Sequence, residues 1–203
     1  MDSYPIAVCR GAGRRVPRAI RELPVLDRVE DAVACRRVLV VGSNADLAAV
    51  LKHLLRTDRL DVEVAHVRRW WQARRARRAA AMRTPLIRDE TGAVIVGAAY
   101  WVPPEGRTTI EGEAVVDDER LFDGRTGAVR VEPTASLPGL RATVWRGRLR
   151  PTRWVAGRAA QLGTTGARVI RDGQPGPREV RRSTFYRHTE GWARVPTGRF
   201  GPP

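Results

Sequence analysis

The apolar positions of the chain follow two patterns. As far as residue 67 they form continuous runs and one helical stripe; from residue 84 they form short runs cut by Gly, Pro and Asp. Pro5 to Cys9 (PIAVC) is an apolar run stopped by Gly11 and Gly13, which predicts a strand entering a loop. Leu26 to Cys35 predicts a short helix, with Val29 and Val33 on one side. Arg37 to Val41 (RVLVV) is continuous and β-branched, the pattern of a strand buried on both faces of a parallel sheet. After Gly42, Ser43 and Asn44 are good helix-capping residues, and Leu47, Val50, Leu51, Leu54 and Leu55 recur at helical spacing. Thr57, Asp58 and Arg59 close that helix; Leu60, Val62 and Val64 then alternate with Asp61 and Glu63, predicting a strand to Val67. The resulting β-α-β unit requires a parallel pair with a right-handed crossover.

Arg68 to Arg83 (RRWWQARRARRAAAMR) contains no acidic residue and many alanines, and its composition favours helix. Beyond it, runs at Ala93 to Trp101, Thr109 to Val116, Ala128 to Glu132, Leu140 to Trp145, Trp154 to Leu162, Ala167 to Arg171 and Val180 to Tyr186 predict an antiparallel layer. Asp89-Glu90-Thr91-Gly92, Asp123-Gly124 and Asp172-Gly173 supply hairpin turn chemistry. The expected architecture is α/β plus antiparallel β: a small parallel β-α-β lobe over 1–67, an arginine-rich helical connector over 68–84, a larger antiparallel β-sheet lobe over 85–195, and a frayed tail over 196–203.

Composition adds a sign to this picture. With 203 residues, 42% hydrophobic and 29% charged, the chain has the make-up of a folded globular protein. A net charge of +15 attracts phosphates, nucleic acids or anionic lipid surfaces. Lys52 is the only lysine, a bias expected of a GC-rich genome, so the charge fixes the partner's sign without identifying the partner. Cys9 and Cys35 have no CxxC spacing, and no run approaches the roughly 18 apolar residues of a membrane span, so a reducing cytoplasm is expected, with any membrane contact peripheral and through the basic surface. His53, His66 and His188 lack the HExxH spacing of a zinc peptidase, and GxSxG is absent, which removes the α/β-hydrolase class.

Three segments carry candidate chemistry. The strand-turn-helix junction Val40-Val41-Gly42-Ser43-Asn44-Ala45-Asp46-Leu47 places a helix N-terminus where its free N–H groups and dipole favour phosphate, although neither the Walker nor the GxGxxG spacing is met. The plain alternative is an ordinary capped helix. The Arg68 to Arg83 helix, through Arg74 and Arg77 with Trp70 and Trp71 beside them, is suited to a phosphate backbone or anionic headgroups; the alternative is a solvated helix whose tryptophans plug onto the β layer. Arg181, Arg182 and Arg187 sit with Ser183, Thr184, Phe185, Tyr186 and His188 in one basic strand that would grip a phosphate or guard a sheet edge. Asp117, Asp118 and Glu119 read as a solvated hairpin turn.

The turn Gly42-Ser43-Asn44-Ala45-Asp46-Leu47, between a strand and a helix ending near Leu55, resembles the Gly-Gly-Asp-Gly-Thr-Leu turn of the diacylglycerol kinase and NAD kinase superfamily. Val169-Ile170-Arg171-Asp172-Gly173-Gln174 is similar to the strand and Asp-Gly-Glu turn in the β lobe of its lipid kinases. The resemblance covers residues 35 to 66 and 85 to 195, and the order of lobes agrees with it. Ser43, Asn44, Ala45 and Gln174 depart from the pattern, and His66 with the arginine-rich helix stands where the family has a second Gly-rich segment. Phosphoryl transfer needs a carboxylate to hold Mg²⁺ or take the acceptor's proton, and Asn and Gln do neither well.

The resemblance and its departures together imply a truncated, degenerate relative, non-catalytic or weakly active. It would bind a phosphate-bearing small molecule or anionic lipid through Gly42, Ser43 and Asn44 with Arg74, Arg77, Arg181, Arg182 and Arg187. Two alternatives stand beside it. One is an active lipid kinase using ATP and Mg²⁺, with Asp46 or Asp172 as substitute catalytic carboxylate; the other is a nucleic-acid or polyanion-binding protein using Trp70 to Arg78.

Overall fold

The computed structural model describes residues 5–145 and 153–198. The chain divides into one unit of residues 1–84 with 190–203 and a second of residues 85–189. The first unit holds strands β1 (Ile6–Arg10), β2 (Val25–Leu26), β3 (Arg37–Val41), β4 (Glu63–Val67) and β5 (Met82–Thr84), with helices α1 (Asn44–Arg56) and α2 (Ala73–Arg78). A final strand, Trp192–Val195, returns to this sheet, whose order is β2, β1, β3, β4, final strand, β5. All neighbours are parallel except the final strand and β5.

β3 is buried at all five positions because it lies between β1 and β4 and is covered on both faces. Leu39 and Val41 face one layer, packed with Val8, Ala65, Val67, Ile20 of a 3-10 turn, and Ala73 and Ala76 of α2. Alternation along the strand leaves Val38 and Val40 for the opposite face. The α1 stripe buries Leu47, Val50, Leu51 and Leu54, each worth about 1.5–3 kcal/mol on the transfer scale. Thr57 ends the helix by donating its Oγ1 hydroxyl to the His53 carbonyl at 2.9 Å.

The helix expected over Leu26 to Cys35 shortens to a 3-10 helix at Val29–Ala34, with Leu26 in β2, and two further expectations in this unit need correction. The strand expected from Leu60 starts only at Glu63, because the Val62 N–H closes a turn onto the Arg59 carbonyl at 3.1 Å; Leu60 and Val62 are buried without being in the sheet. The long helix expected over Arg68 to Arg83 is a 3-10 turn at Trp70–Gln72 followed by six residues of α2. Ala79 is already extended, and Met82 to Thr84 pair with the final strand as β5. Helix propensity in the alanines yields there to sheet pairing.

The second unit is antiparallel throughout. It contains β6 (Ile87–Asp89), β7 (Val94–Ile95), β8 (Ala99–Val102), β9 (Ile110–Val116), β10 (Glu119–Thr126), β11 (Ala128–Pro133), β12 (Leu140–Trp145), β13 (Val155–Gly157), β14 (Ala159–Arg171), β15 (Gln174–Pro175) and β16 (Val180–Arg187). The main path runs β13, β12, β11, β8, β14, β16, β6, β7, with β9 joining β10 to β14 and β15 beside β14. Thirteen-residue β14 is the spine, and the core closes around Trp101, Phe185, Ile110 and Leu140. Trp101 stacks on Phe185 at 5.5 Å and donates its indole N–H to Ser183 Oγ at 2.9 Å, which satisfies two buried polar groups at once. The whole molecule thus has a small, mainly parallel α/β part and a larger antiparallel β part, as the periodicity requires.

Several strand limits differ from expectation. Ala93 to Trp101 is split into β7 and β8, Trp154 to Leu162 is split at Arg158, and Ala167 to Arg171 is the far end of β14. Asp123-Gly124 is no hairpin turn: it lies within β10, opposite Glu113 and Gly112 of β9. β16 is no edge strand over Phe185–Arg187, where it lies between β14 and β6; the pairing with β6 does not extend to Arg181 and Arg182.

Candidate functional site

In the first sheet the chain passes from β1 outward to β2 on one side, then returns to β3 on the other. Open α/β sheets bind ligands beyond the carboxyl ends of the strands at such a reversal. Gly11 follows β1 and Gly42 follows β3, and the Gly11 N–H donates to the Val41 carbonyl at 3.0 Å, tying the two strand ends together.

Asp46 turns back from α1 into this junction. Its Oδ2 accepts the Ser43 N–H at 2.6 Å and the Ser43 hydroxyl at 2.7 Å, while the Asp46 N–H donates to Ser43 Oγ at 3.2 Å. This reciprocal capping box fixes the helix start and sets a negative charge on the positive end of the dipole. A Cβ added at Gly11 would lie 2.5 Å from Asp46 Oδ2, and one at Gly42 only 2.4 Å away. Both positions therefore need glycine because Asp46's own carboxylate fills the notch between the two turns. The Ser-x-x-Asp spacing is the sequence signal for that role, whereas Gly11's part is visible only once β1 and β3 are neighbours.

Two titratable groups border the notch. Burial pushes the Cys9 thiol up from its ordinary value, and the Asp46 charge adds to the shift. His66, at the end of β4, donates its Nε2–H to the Gly42 carbonyl at 3.1 Å, and burial holds its pKa below the usual value despite that bond. A histidine whose folded pKa is depressed takes up its proton more readily in the unfolded chain. Its contribution is complete above the unfolded pKa of about 6.5 and is lost as pH falls from there through the lower folded value. Urea unfolding should show stability decreasing from pH 7.5 to 5.5, and His66→Gln should flatten this part of the profile; an unchanged profile would remove His66 as its source.

Asp172 lies in the second unit at the β14–β15 hairpin, with φ 48°. Its carboxylate accepts three backbone N–H groups, from Val96 at 2.9 Å, Gly97 at 2.7 Å and Ala98 at 3.1 Å. It thereby holds the turn that splits β7 from β8. Gln174 is exposed and opposite Arg171 in the same hairpin. Asp117 repeats the device: at φ 49°, it accepts the N–H groups of Arg158 at 2.9 Å and Ala159 at 3.0 Å, which breaks β13 from β14.

The basic candidates are dispersed. Arg77 pairs with Glu22 across the first unit, whereas Arg74 borders two open hollows with Trp70 and Trp71. The tryptophans are 75% and 53% exposed. In the second unit Arg181 and Arg182 are exposed neighbours on β16, so their side chains leave opposite faces. Arg187 instead lies against Gly139 and donates to the Pro138 carbonyl at 3.0 Å. Among the described residues no three His, Cys, Asp or Glu side chains gather as a metal site. Asp46 and the neutral Asn44 do not make a Mg²⁺ donor set at the turn.

Comparison with known proteins places the fold. The chain matches an NAD kinase from Archaeoglobus fulgidus, solved in complex with ATP, with TM-score 0.65 and 13% identity over 96% of this chain and 94% of that one. A putative diacylglycerol kinase from Bacillus anthracis gives TM-score 0.65 at 9% identity, over 94% of this chain and 96% of its own. A yeast NADH kinase complexed with NADH gives 0.60 at 9%, over 87% and 67%. No family model matches the sequence, and neither does any curated protein. The chain shares the fold of these NAD kinase and diacylglycerol kinase structures.

Proposed function

We propose that the protein is a non-catalytic member of this fold class that binds a phosphate-bearing small molecule, of the nucleotide kind, at the reversal point beyond β1 and β3. The observation that carries this reading is the Asp46 carboxylate seated in the notch between Gly11 and Gly42. A ligand phosphate there would meet the N–H groups of Asn44 and Ala45, which the first turn of a helix leaves without intrahelical partners. Asp46 repels it, so binding in the natural sequence is weak. Neither candidate carboxylate is free for transfer chemistry: Asp46 is held by Ser43 and Asp172 by three backbone N–H groups, while Asn44 is neutral. In this reading Asp172 is a structural pin. The ATP and NADH held by the A. fulgidus and yeast kinases support the ligand class.

Asp46→Asn keeps an acceptor for Ser43 and removes the charge. Titration calorimetry should show ATP or NAD binding strengthened by about tenfold, the effect of relieving roughly 1.4 kcal/mol of repulsion. Helix stability should fall by about 1 kcal/mol. Absence of binding of ATP, NAD and inorganic phosphate to both proteins would sink the proposal. Mg²⁺-dependent loss of ATP that disappears in Asp46→Asn and Asp172→Asn would establish the active-kinase alternative instead.

A further inference from the structure

The segment after β4 carries a feature that nucleotide binding does not use. Gln72 Oε1 accepts the N–H groups of Arg68 at 2.8 Å and Arg69 at 2.9 Å, closing a tight loop around Trp70 and Trp71. Ala73 and Ala76, one turn further on, are fully buried against the sheet. The loop is thus fixed from below while both indoles stand in solvent, 75% and 53% exposed. They form a ridge between two hollows. One, of about 510 Å³, is walled by Pro17, Arg18, Ala19 and Arg74; the other, of about 620 Å³, by Arg74, Arg75 and Thr197.

Arg68, Arg69, Arg74, Arg75 and Arg78 around the ridge are all exposed, as are Arg14, Arg15 and Arg18 on the neighbouring loop. Among the described residues, none of these eight has a carboxylate within ion-pair distance; Arg77 alone on α2 is paired, with Glu22. Exposed indoles ringed by unpaired guanidinium groups combine the two requirements for stable attachment to a bilayer surface: apolar groups that enter the headgroup layer and cations that meet its phosphates. Arginine serves the second well because its planar fork binds a phosphate through two N–H groups.

A strand of bases would use the same residue types differently. Successive bases stack on open ring faces, whereas here the two rings stand edge to face at 88° with centroids 5.9 Å apart. The Arg69 guanidinium covers Trp71 at 5.2 Å from its centroid. This geometry offers ring edges and tips rather than a stacking platform.

We infer that the Trp70–Trp71 ridge and its arginines form a docking surface for anionic phospholipid bilayers, a role separate from nucleotide binding. The test is cosedimentation of the full chain with phosphatidylglycerol-containing vesicles and with pure phosphatidylcholine vesicles at 0.1 M salt (about one Debye length of 10 Å). Binding is expected to the former and to be at least about tenfold weaker to the latter. Trp70→Ala with Trp71→Ala should lose at least about tenfold, and Arg74→Gln with Arg75→Gln about twenty-five-fold, from roughly fivefold per arginine. Tryptophan emission of the unaltered protein should be quenched by brominated acyl chains, which reads insertion without any substitution.

Equal binding to both vesicle types, undiminished binding by both double variants, or absence of quenching would each overturn the inference. So would binding to a thymidine oligonucleotide with none to vesicles. The ATP titration is read separately: the tryptophan double variant keeps the wild-type ATP response if the two sites are independent, so loss of one reading does not decide the other.

Discussion

Asp89→Ala is expected to lower the stability of the second unit by about 3–5 kcal/mol, the cost of breaking a buried ion pair from one side. Asp89 is fully buried. Its Oδ1 accepts the Thr91 N–H at 2.8 Å, the Thr91 hydroxyl at 2.7 Å and the Ala93 N–H at 2.9 Å, while Oδ2 accepts Arg171 Nε at 2.5 Å. One carboxylate therefore builds the β6–β7 hairpin and anchors it to the end of β14. Removing it leaves three donors unsatisfied and strands a guanidinium whose side chain is 17% exposed. Asp89→Asn should cost less because the amide oxygen still serves the hairpin. Adding Arg171→Met to Asp89→Ala should restore part of the loss, since the stranded charge is then gone. Urea unfolding of the four proteins measures this; a double variant no more stable than Asp89→Ala would show that the hairpin bonds, and not the ion pair, dominate.

Asp89 also shows what sequence can and cannot convey. Asp89-Glu90-Thr91-Gly92 was legible as a turn because an aspartate bonding the backbone two residues on is a local event, and the turn is there. Its pairing with Arg171 joins residues 82 positions apart and leaves no local trace. The same division runs through the molecule. β3 was legible to the residue because burial on both faces writes itself into every side chain, and α1 because its stripe and cap are local. The Arg68 to Arg83 helix was overestimated because its end is decided by pairing of β5 with the final strand, more than a hundred residues away. Asp123-Gly124 carried turn chemistry into the middle of β10, where pairing with β9 overrides it. At the candidate site, the turn after β3 was evident, but the notch that Asp46 fills depends on Gly11 arriving beside it from β1.

Arg37→Met should cost about 3–4 kcal/mol and should act mainly on α2. Arg37 opens the most buried strand of the molecule and is itself only 5% exposed. Its Nε donates to Glu63 Oε2 at 2.6 Å, Nη1 to the carbonyls of Ala76 at 3.2 Å and Arg77 at 2.6 Å, and Nη2 to that of Ala79 at 2.9 Å. A helix of six residues does not hold together alone, and its last carbonyls need donors. Arg37 supplies them, and its positive charge sits at the negative end of the helix dipole. Methionine replaces the stem's volume and none of these bonds; lysine restores a charge but cannot span Glu63 and three carbonyls, so Arg37→Lys should recover less than half of the loss. Amide hydrogen exchange over Ala73 to Ala79 should accelerate in Arg37→Met well beyond the change across α1, and uniform acceleration of both helices would show global rather than local action. Because α2 fixes the loop that presents Trp70 and Trp71, vesicle binding by Arg37→Met should weaken although no residue at the proposed membrane surface has changed.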